Sequence, residues 1–284
     1  MHTTTPTSLV ASDVVRVTQV SPGYLQVVFD NPPINLFGPE VFAGLNLLQQ
    51  YVDDPSNDVR VIVFESAHPD FFIAHIDFPR LADVPNIPGG QSLIERWPHF
   101  SHWLSTSPAV SIAKVRGRTR GIGNEFILAA AIRFASLERA RFCQIEVGFG
   151  MVPGGGGLEW LPKQIGRGRA LEVVLSADDF DAATAELYGL VNRAVSDADL
   201  DDHVDNLARR IASFSPAALA TAKRLIGQRL PVPAVDELRE SFDAILRLAV
   251  TDEAKAISAR VREAAGGSLG PAELDLPNWY GPGQ

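Results

Sequence analysis

A chain of 284 residues, 46% hydrophobic and 21% charged, has the composition of a globular enzyme and enough length for one large core or two modest domains. Thirty-four acidic against 25 basic residues give a net charge of -9, which argues against nucleic acid or an anionic membrane as the main partner. The single cysteine, Cys143, excludes an intrachain disulfide and a cysteine-built metal cluster; with no signal-peptide pattern in residues 1–12 and no apolar run of about 18 residues, the expected location is the cytoplasm.

Residues 14–20 and 24–29 are β-rich runs on either side of Ser21-Pro22-Gly23, a hairpin signal. Asp30-Asn31-Pro32-Pro33-Ile34-Asn35 breaks the second strand. Val41, Phe42, Leu45, Leu48 and Val52 then fall on one face of a helix over about 39–52. A continuous apolar strand follows at 59–65, and an aromatic-rich loop or strand end at 71–78. After a further helix and a strand at 109–115, residues 115–125 read as strand, glycine turn and helix start. The helix over 126–131 is apolar on every side and is expected to be buried. Strands at 132–135 and 141–145 complete a repeated β-β-α order, so the class is α/β. Beyond Gly157 the chain turns helical, over 168–176, 182–188, 199–214, 216–228, 235–248 and 254–265. The expected organisation is a core over 1–200 and a C-terminal helical oligomerisation region over 201–284, with 266–284 an extended tail lying on a neighbouring subunit. No repeat of fixed period interrupts this reading.

Chemistry concentrates between Val115 and Gly157. Glu125 and Glu146 follow glycine-bearing turns inside apolar sequence, just before Pro153-Gly154-Gly155-Gly156-Gly157. The first N–H groups of the helix carrying Glu125 have no intrahelical acceptor and sit at the positive dipole end, as donors for an anion or a developing oxyanion. Two partly desolvated carboxylates beside such donors suit acid/base chemistry near neutral pH. The structural alternative makes Glu125 a dipole-favoured helix carboxylate and Glu146 a salt-bridged loop residue. The glycine run lacks the following Gly-Lys-Ser/Thr of a phosphate loop and is expected to let backbone pack closely behind Glu146. Glu95, His99 and His102 have helical spacing for a metal, but Pro98 interrupts that helix and no metal is expected. No Gly-x-Ser-x-Gly elbow supports a serine hydrolase.

Ordered motifs across roughly residues 14–230 resemble the crotonase superfamily, also called the enoyl-CoA hydratase/isomerase family. They are Asn31-Pro32-Pro33-Ile34-Asn35, Phe72-Ile73-Ala74-His75-Ile76-Asp77, Gly117 to Glu125, Ile132-Arg133-Phe134-Ala135-Ser136, Glu146 with Gly148 and Gly150, Pro153 to Gly157, Gly166 to Leu175, Gly189-Leu190-Val191-Asn192, and Ser215-Pro216-Ala217 with Lys223. The resemblance implies a β-β-α spiral core with a C-terminal helical module, assembled as a homotrimer or hexamer. It implies an oxyanion hole made by the N–H groups of Ile76 and Ile122, Glu125 and Glu146 as the catalytic pair, and Ala74, His75, Asp77, Gly121, Pro153 and Gly154 around the substrate. The implied substrate is an acyl-CoA thioester, with no separate cofactor. The implied reaction adds or removes water across a 2-enoyl-CoA; isomerisation, carbon-carbon (diketone) hydrolysis of a non-CoA substrate, and non-catalytic acyl binding are the alternatives.

This chain departs from the family pattern at several positions. His75 replaces a glycine at the edge of the oxyanion hole, offering a third acid/base, a substrate ligand or a hydrogen-bonded structural residue. The Phe-Leu-x-Lys-Arg segment that touches the nucleotide in relatives corresponds here to 255–262, without its phenylalanine. Arg116, Arg118 and Arg120 form a run that either meets phosphate or is a solvated strand edge. Phe71, Phe72, Phe78, Trp97, Phe100 and Trp103 fall where the family's variable pocket wall lies, or belong to the core.

Overall fold

The computed structural model describes residues 8–88, 90–264 and 271–280. The chain opens with the expected hairpin, β1 (Val15–Ser21) and β2 (Tyr24–Phe29), turned at Gly23 with φ 77°. After α1 (Pro39–Asp53) the β-β-α order sets in: β3 (Val61–Ser66), β4 (Phe71–Ile73) and α2 (Trp97–Thr106); then β5 (Val110–Val115), β6 (Arg118–Arg120) and α3 (Ile122–Ala129); then β7 (Ile132–Ser136), β8 (Arg141–Cys143) and the helices α4 (Gly157–Ile165) and α5 (Arg167–Ser176). The first strand of each turn joins a six-stranded sheet of order β1-β2-β3-β5-β7-β10, and the second a four-stranded sheet, β4-β6-β8-β9. Their last members are β9 (Phe180–Asp181) and, after α6 (Ala182–Tyr188), β10 (Arg193–Val195). This is the α/β spiral expected from the motifs.

Strands β2, β3, β5, β7 and β10 pair in parallel, and the middle of the sheet is covered on both faces, which is why Val61 to Phe64 is an unbroken buried run. Alternate residues serve different layers. Val61, Val63, Ile112 and Phe134 meet Leu200, Val204 and Ala208 of α7 (Leu200–Ala212), while Ile62, Phe64, Ala113 and Val115 face the main core and α3. Helix α9 (Val235–Ala249) adds Leu238 and Phe242 to that main core; α8 (Pro216–Arg229) and α10 (Asp252–Ala264) complete the helical third. Among the described residues no helix is long and apolar enough to cross a membrane.

Several boundaries differ from expectation for identifiable reasons. Pro98 does not interrupt α2: it sits in the first turn, where a missing N–H costs nothing. Helix α3 begins at Ile122 rather than 126, because Gly123 is a helical residue whose missing side chain admits Ile73; a Cβ there would lie 2.6 Å from the Ile73 carbonyl oxygen. Strand β8 stops at Cys143, short of 145, as the backbone turns into a 3₁₀ turn over Glu146–Phe149. Helix α4 has no expected counterpart, its start being hidden by the glycine run. The expected extended tail is, over Pro271–Trp279, a run of 3₁₀ turns lying on its own chain: Leu276 packs with Cys143, Ile145 and Val261, and the Tyr280 hydroxyl donates to the Ala177 carbonyl. The rest of that tail lies outside the described residues. Because Gly123 joins α3 to β4 without room for a methyl group, Gly123→Ala is expected to cost about 1–3 kcal/mol in urea unfolding; an unchanged midpoint would mean that this approach is looser than its distances.

Candidate active site

A cavity of about 540 Å³ lies where α3, the turn after β8, α9, α10 and the 271–280 strap converge. Apolar side chains including Phe42, Trp97, Met151, Phe242 and Leu276 form most of its wall, and Glu125 and Glu146 are both exposed to it. Glu125 occupies the first turn of α3, and Glu146 opens the 3₁₀ turn after β8. The two backbones meet at Gly121, the α3 cap at φ 52°, where a Cβ would stand 2.8 Å from Glu146 Oε1.

Both carboxylates are buried, at 2% and 5% exposure, and neither has a cationic partner among the described residues. Glu125 Oε1 accepts hydrogen bonds from the Gly155 and Gly157 N–H groups, at 2.7 and 3.0 Å. This corrects the expected place of the glycine run, which packs behind Glu125 rather than Glu146. A Cβ on Gly155 would lie 2.3 Å from Glu125 Oε2 and 2.8 Å from Trp97 Nε1, which donates to the Gly155 carbonyl at 2.8 Å. Burial pushes the Glu125 carboxyl up to about 7, restrained by those backbone donors. Glu146 is raised well above the ordinary carboxylate range, first by burial and then by the Glu125 charge. Its side-chain polar neighbour is Gln144, 3.4 Å from Oε2, which accepts from Asn124 at 2.7 Å. The two are unequally supported: Glu125 has two backbone donors, and Glu146 has the single Gln144 amide contact.

Two N–H groups of residues at the cavity wall, those of Ile76 and Ile122, have no backbone acceptor among the described residues. The Phe37 N–H donates to the His75 carbonyl and the Phe37 carbonyl accepts from the Asp77 N–H, at 2.8 and 3.1 Å; alternation along the chain turns the Ile76 N–H away from Phe37. Ile122 is the first residue of α3, so its N–H has no intrahelical acceptor. Ile76 and Ile122 line the cavity together with His75, Asp77, Gly121 and Gly154. Ala74 and Pro153 do not. Ala74 is buried among Ile34, Leu36 and Phe71, and Pro153 is buried against Gly157.

His75 has a hydrogen-bond contact at one ring nitrogen and a carboxylate within ion-pair reach of the other. Its Nδ1 lies 2.8 Å from the Ile76 carbonyl, and its Nε2 lies 3.3 Å from Glu273 Oε2 on the strap. Glu273 was not read as a site residue; it stands in a Gly/Pro-rich tail far from His75 in sequence, and no local signal marks it. The arginine run is neither a phosphate site nor a solvated edge. Arg116 bonds Asp197 and Asp201, Arg118 bonds the Leu274 carbonyl, and fully buried Arg120 bonds Asp179 and the Glu273 carbonyl. Cations reach the cavity instead from α10, as Lys255 and Arg262 with Ser258 between them. Of the six aromatics expected in the wall, Phe78 and Trp97 line it, whereas Phe71, Phe72 and Phe100 are core and Trp103 packs on the main core while donating to Asp53 at 2.8 Å. His102 Nδ1 lies 3.0 Å from the Pro233 carbonyl and His99 lies beside Arg239, so they serve the α2–α9 contact.

The cavity is apolar, with two buried carboxylates raised unequally and two backbone N–H groups at its wall. Comparison with known proteins gives this arrangement a family. Residues 20–253 match the model of the enoyl-CoA hydratase/isomerase family. The short-chain-enoyl-CoA hydratase of Clostridium acetobutylicum is 29% identical over 208 residues, 72% of this chain and 78% of that protein. The mitochondrial methylglutaconyl-CoA hydratase of Homo sapiens is 30% identical over 201 residues, 68% of this chain and 58% of that protein. A crystal structure of a candidate enoyl-CoA hydratase from Streptomyces avermitilis superimposes with a TM-score of 0.88 at 38% identity, covering 98% of this chain and all of that one. The chain belongs to the enoyl-CoA hydratase/isomerase family, the crotonase superfamily.

The burial of Glu125 has a measurable cost. An acid raised on folding is neutral in both states below its unfolded value of 4.5 and penalised in the folded state above about 7. Glu125→Gln keeps an acceptor for Gly155 and Gly157 and removes that penalty. It is expected to stabilise the protein by up to about 3 kcal/mol at pH 8 and by almost nothing at pH 4, as read by chemical denaturation at the two pH values; equal effects at both would contradict a desolvated carboxylate.

Proposed function

We propose that this protein is an enoyl-CoA hydratase that adds water across the double bond of a 2-enoyl thioester, or removes it in reverse. The observation that carries this reading is the retention of two buried carboxylates, without cations, in one cavity with the Ile76 and Ile122 N–H groups. In the forward direction the thioester carbonyl sits between those two donors. The oxygen of a water molecule bonds to C3 while Glu125 takes its proton, and the double-bond electrons move onto the thioester oxygen as an enolate. As the enolate collapses, Glu146 delivers its proton to C2, and solvent exchange restores the starting protonation. The donors act where charge develops, and losing one would cost about 3–4 kcal/mol of transition-state stabilisation.

Two proton-transfer groups rather than one favour hydration over isomerisation. Lys255 and Arg262 give the cavity positive charge for a phosphorylated carrier, so coenzyme A is the proposed thioester arm even though the arginine run is committed elsewhere. A homotrimer or hexamer is the assembly proposed with it.

Crotonyl-CoA hydration, followed by loss of enoyl absorbance beside calorimetric titration of acetoacetyl-CoA and free CoA, tests the reading. Turnover should fall by at least about 10²-fold in Glu146→Gln with ligand affinity kept. The kcat/KM profile should rise near pH 7, well above an ordinary carboxylate, and fall again at higher pH as Glu146 deprotonates. Turnover that survives Glu146→Gln, or no binding of any thioester, would overturn it.

A further inference from the structure

The strap contacts both turns that carry the backbone donors: Leu274 accepts from Arg118 and Arg120 through its carbonyl, and Glu273 alone reaches both turns. The Glu273 carboxylate meets His75, the residue before Ile76, at 3.3 Å. The Glu273 carbonyl accepts from Arg120, two residues before Ile122. Arg120 is fully buried and fixed by Asp179, to which its Nε donates at 2.8 Å. A continuous path thus runs from Asp179 through Arg120 and Glu273 to His75, and ends on the Ile76 carbonyl that the His75 ring contacts at 2.8 Å. Resting on the hydratase reading, we propose that Glu273 is a positioning residue: it clasps the two turns bearing Ile76 and Ile122 and fixes the spacing of their N–H donors through the His75 imidazolium.

The chemistry of the contacts sets the charge of the ring. A backbone carbonyl only accepts, so Nδ1 carries a proton; a carboxylate within ion-pair reach of Nε2, at 3.3 Å, favours a second one there. The groups facing His75 are Glu273 from the strap, Arg120 from β6 and the Ile76 carbonyl, and those facing Glu273 are His75 and Arg120. Burial alone would lower the histidine, but Glu273 reverses this and holds it above its ordinary 6.5, while His75 holds Glu273 below 4.5 against its own burial. The clasp is therefore closed between those limits. It opens as pH falls through the lowered carboxylate value or rises through the raised histidine value.

Glu273→Gln, His75→Gln and the double variant, assayed for enoyl-CoA hydration across pH together with NMR titration of His75, test the proposal. Each single variant should lower kcat about ten-fold with KM nearly unchanged, a fraction of the loss of a whole donor. The double variant should be no slower than either single one, whereas independent sites would multiply. In Glu273→Gln the His75 midpoint should drop to 6.5 or below, and kcat should lose its clasp-dependent part through that lowered midpoint, separately from the alkaline fall set by Glu146. Should Glu273→Gln not fold, His75→Gln opens the clasp from the other side. An active wild type whose kcat and pH profile survive both single variants overturns the clasp. An unmoved His75 midpoint does the same without reference to turnover, and a wild type inactive on every enoyl thioester instead removes the hydratase reading on which the clasp rests.

Discussion

The site depends on one electrostatic arrangement: a carboxylate kept out of water and held by backbone N–H groups rather than by a cation. Gly155 and Gly157 can donate to Glu125 because their glycine run approaches the carboxylate where any side chain on Gly155 would collide with it. A lysine or arginine in that place would make Glu125 a permanent anion, useless for taking and returning a proton. Peptide dipoles moderate the desolvation without cancelling it. The fold supplies the burial by wrapping α3, buried on every face, in the main core. Glu146 enters the same cavity from β8 with weaker support, and the proposed division into base and acid rests on that inequality.

The spiral topology brings these pieces together. Each turn places a strand in the six-stranded sheet and the next in the four-stranded sheet, so the ends of β4, β6 and β8 fall side by side. The Ile76 turn follows β4, the Ile122 cap follows β6, and Glu146 follows β8. Two donors and an acid thus come from three successive turns of one repeating unit. The glycines at 121 and 123 keep the seams tight, one against Glu146 and the other against Ile73. The residues proposed for activity and those that close the core are consequently neighbours on these seams.

Much of this was legible in the sequence because it is local. The helix over 182–188 was placed to the residue, and the strands β2 and β5 to within a residue or two, since periodicity and turn chemistry are written in neighbouring positions. Ordered motifs likewise pointed to Glu125, Glu146, Ile76 and Ile122, all of which line one cavity. What was illegible is what the tertiary fold decides. The three arginines at 116, 118 and 120 read as one basic run, yet their partners lie at 197, 201, 179 and 274. Gly123 read as a turn signal, though it is a helix residue in close contact with a strand. The strap, read as extended chain, carries Glu273 into the site, a pairing that no spacing rule could connect to His75.

The central claim is that Glu125 and Glu146 hold a single proton between them at neutral pH. Infrared difference spectroscopy of the protein with ¹³C-labelled glutamate measures this directly, since a protonated carboxyl absorbs apart from carboxylates. The expected result at pH 7.5 is a protonated-carboxyl band that disappears in Glu146→Gln and remains in variants of exposed glutamates. A spectrum in which every glutamate is already ionised at pH 6 would contradict the account.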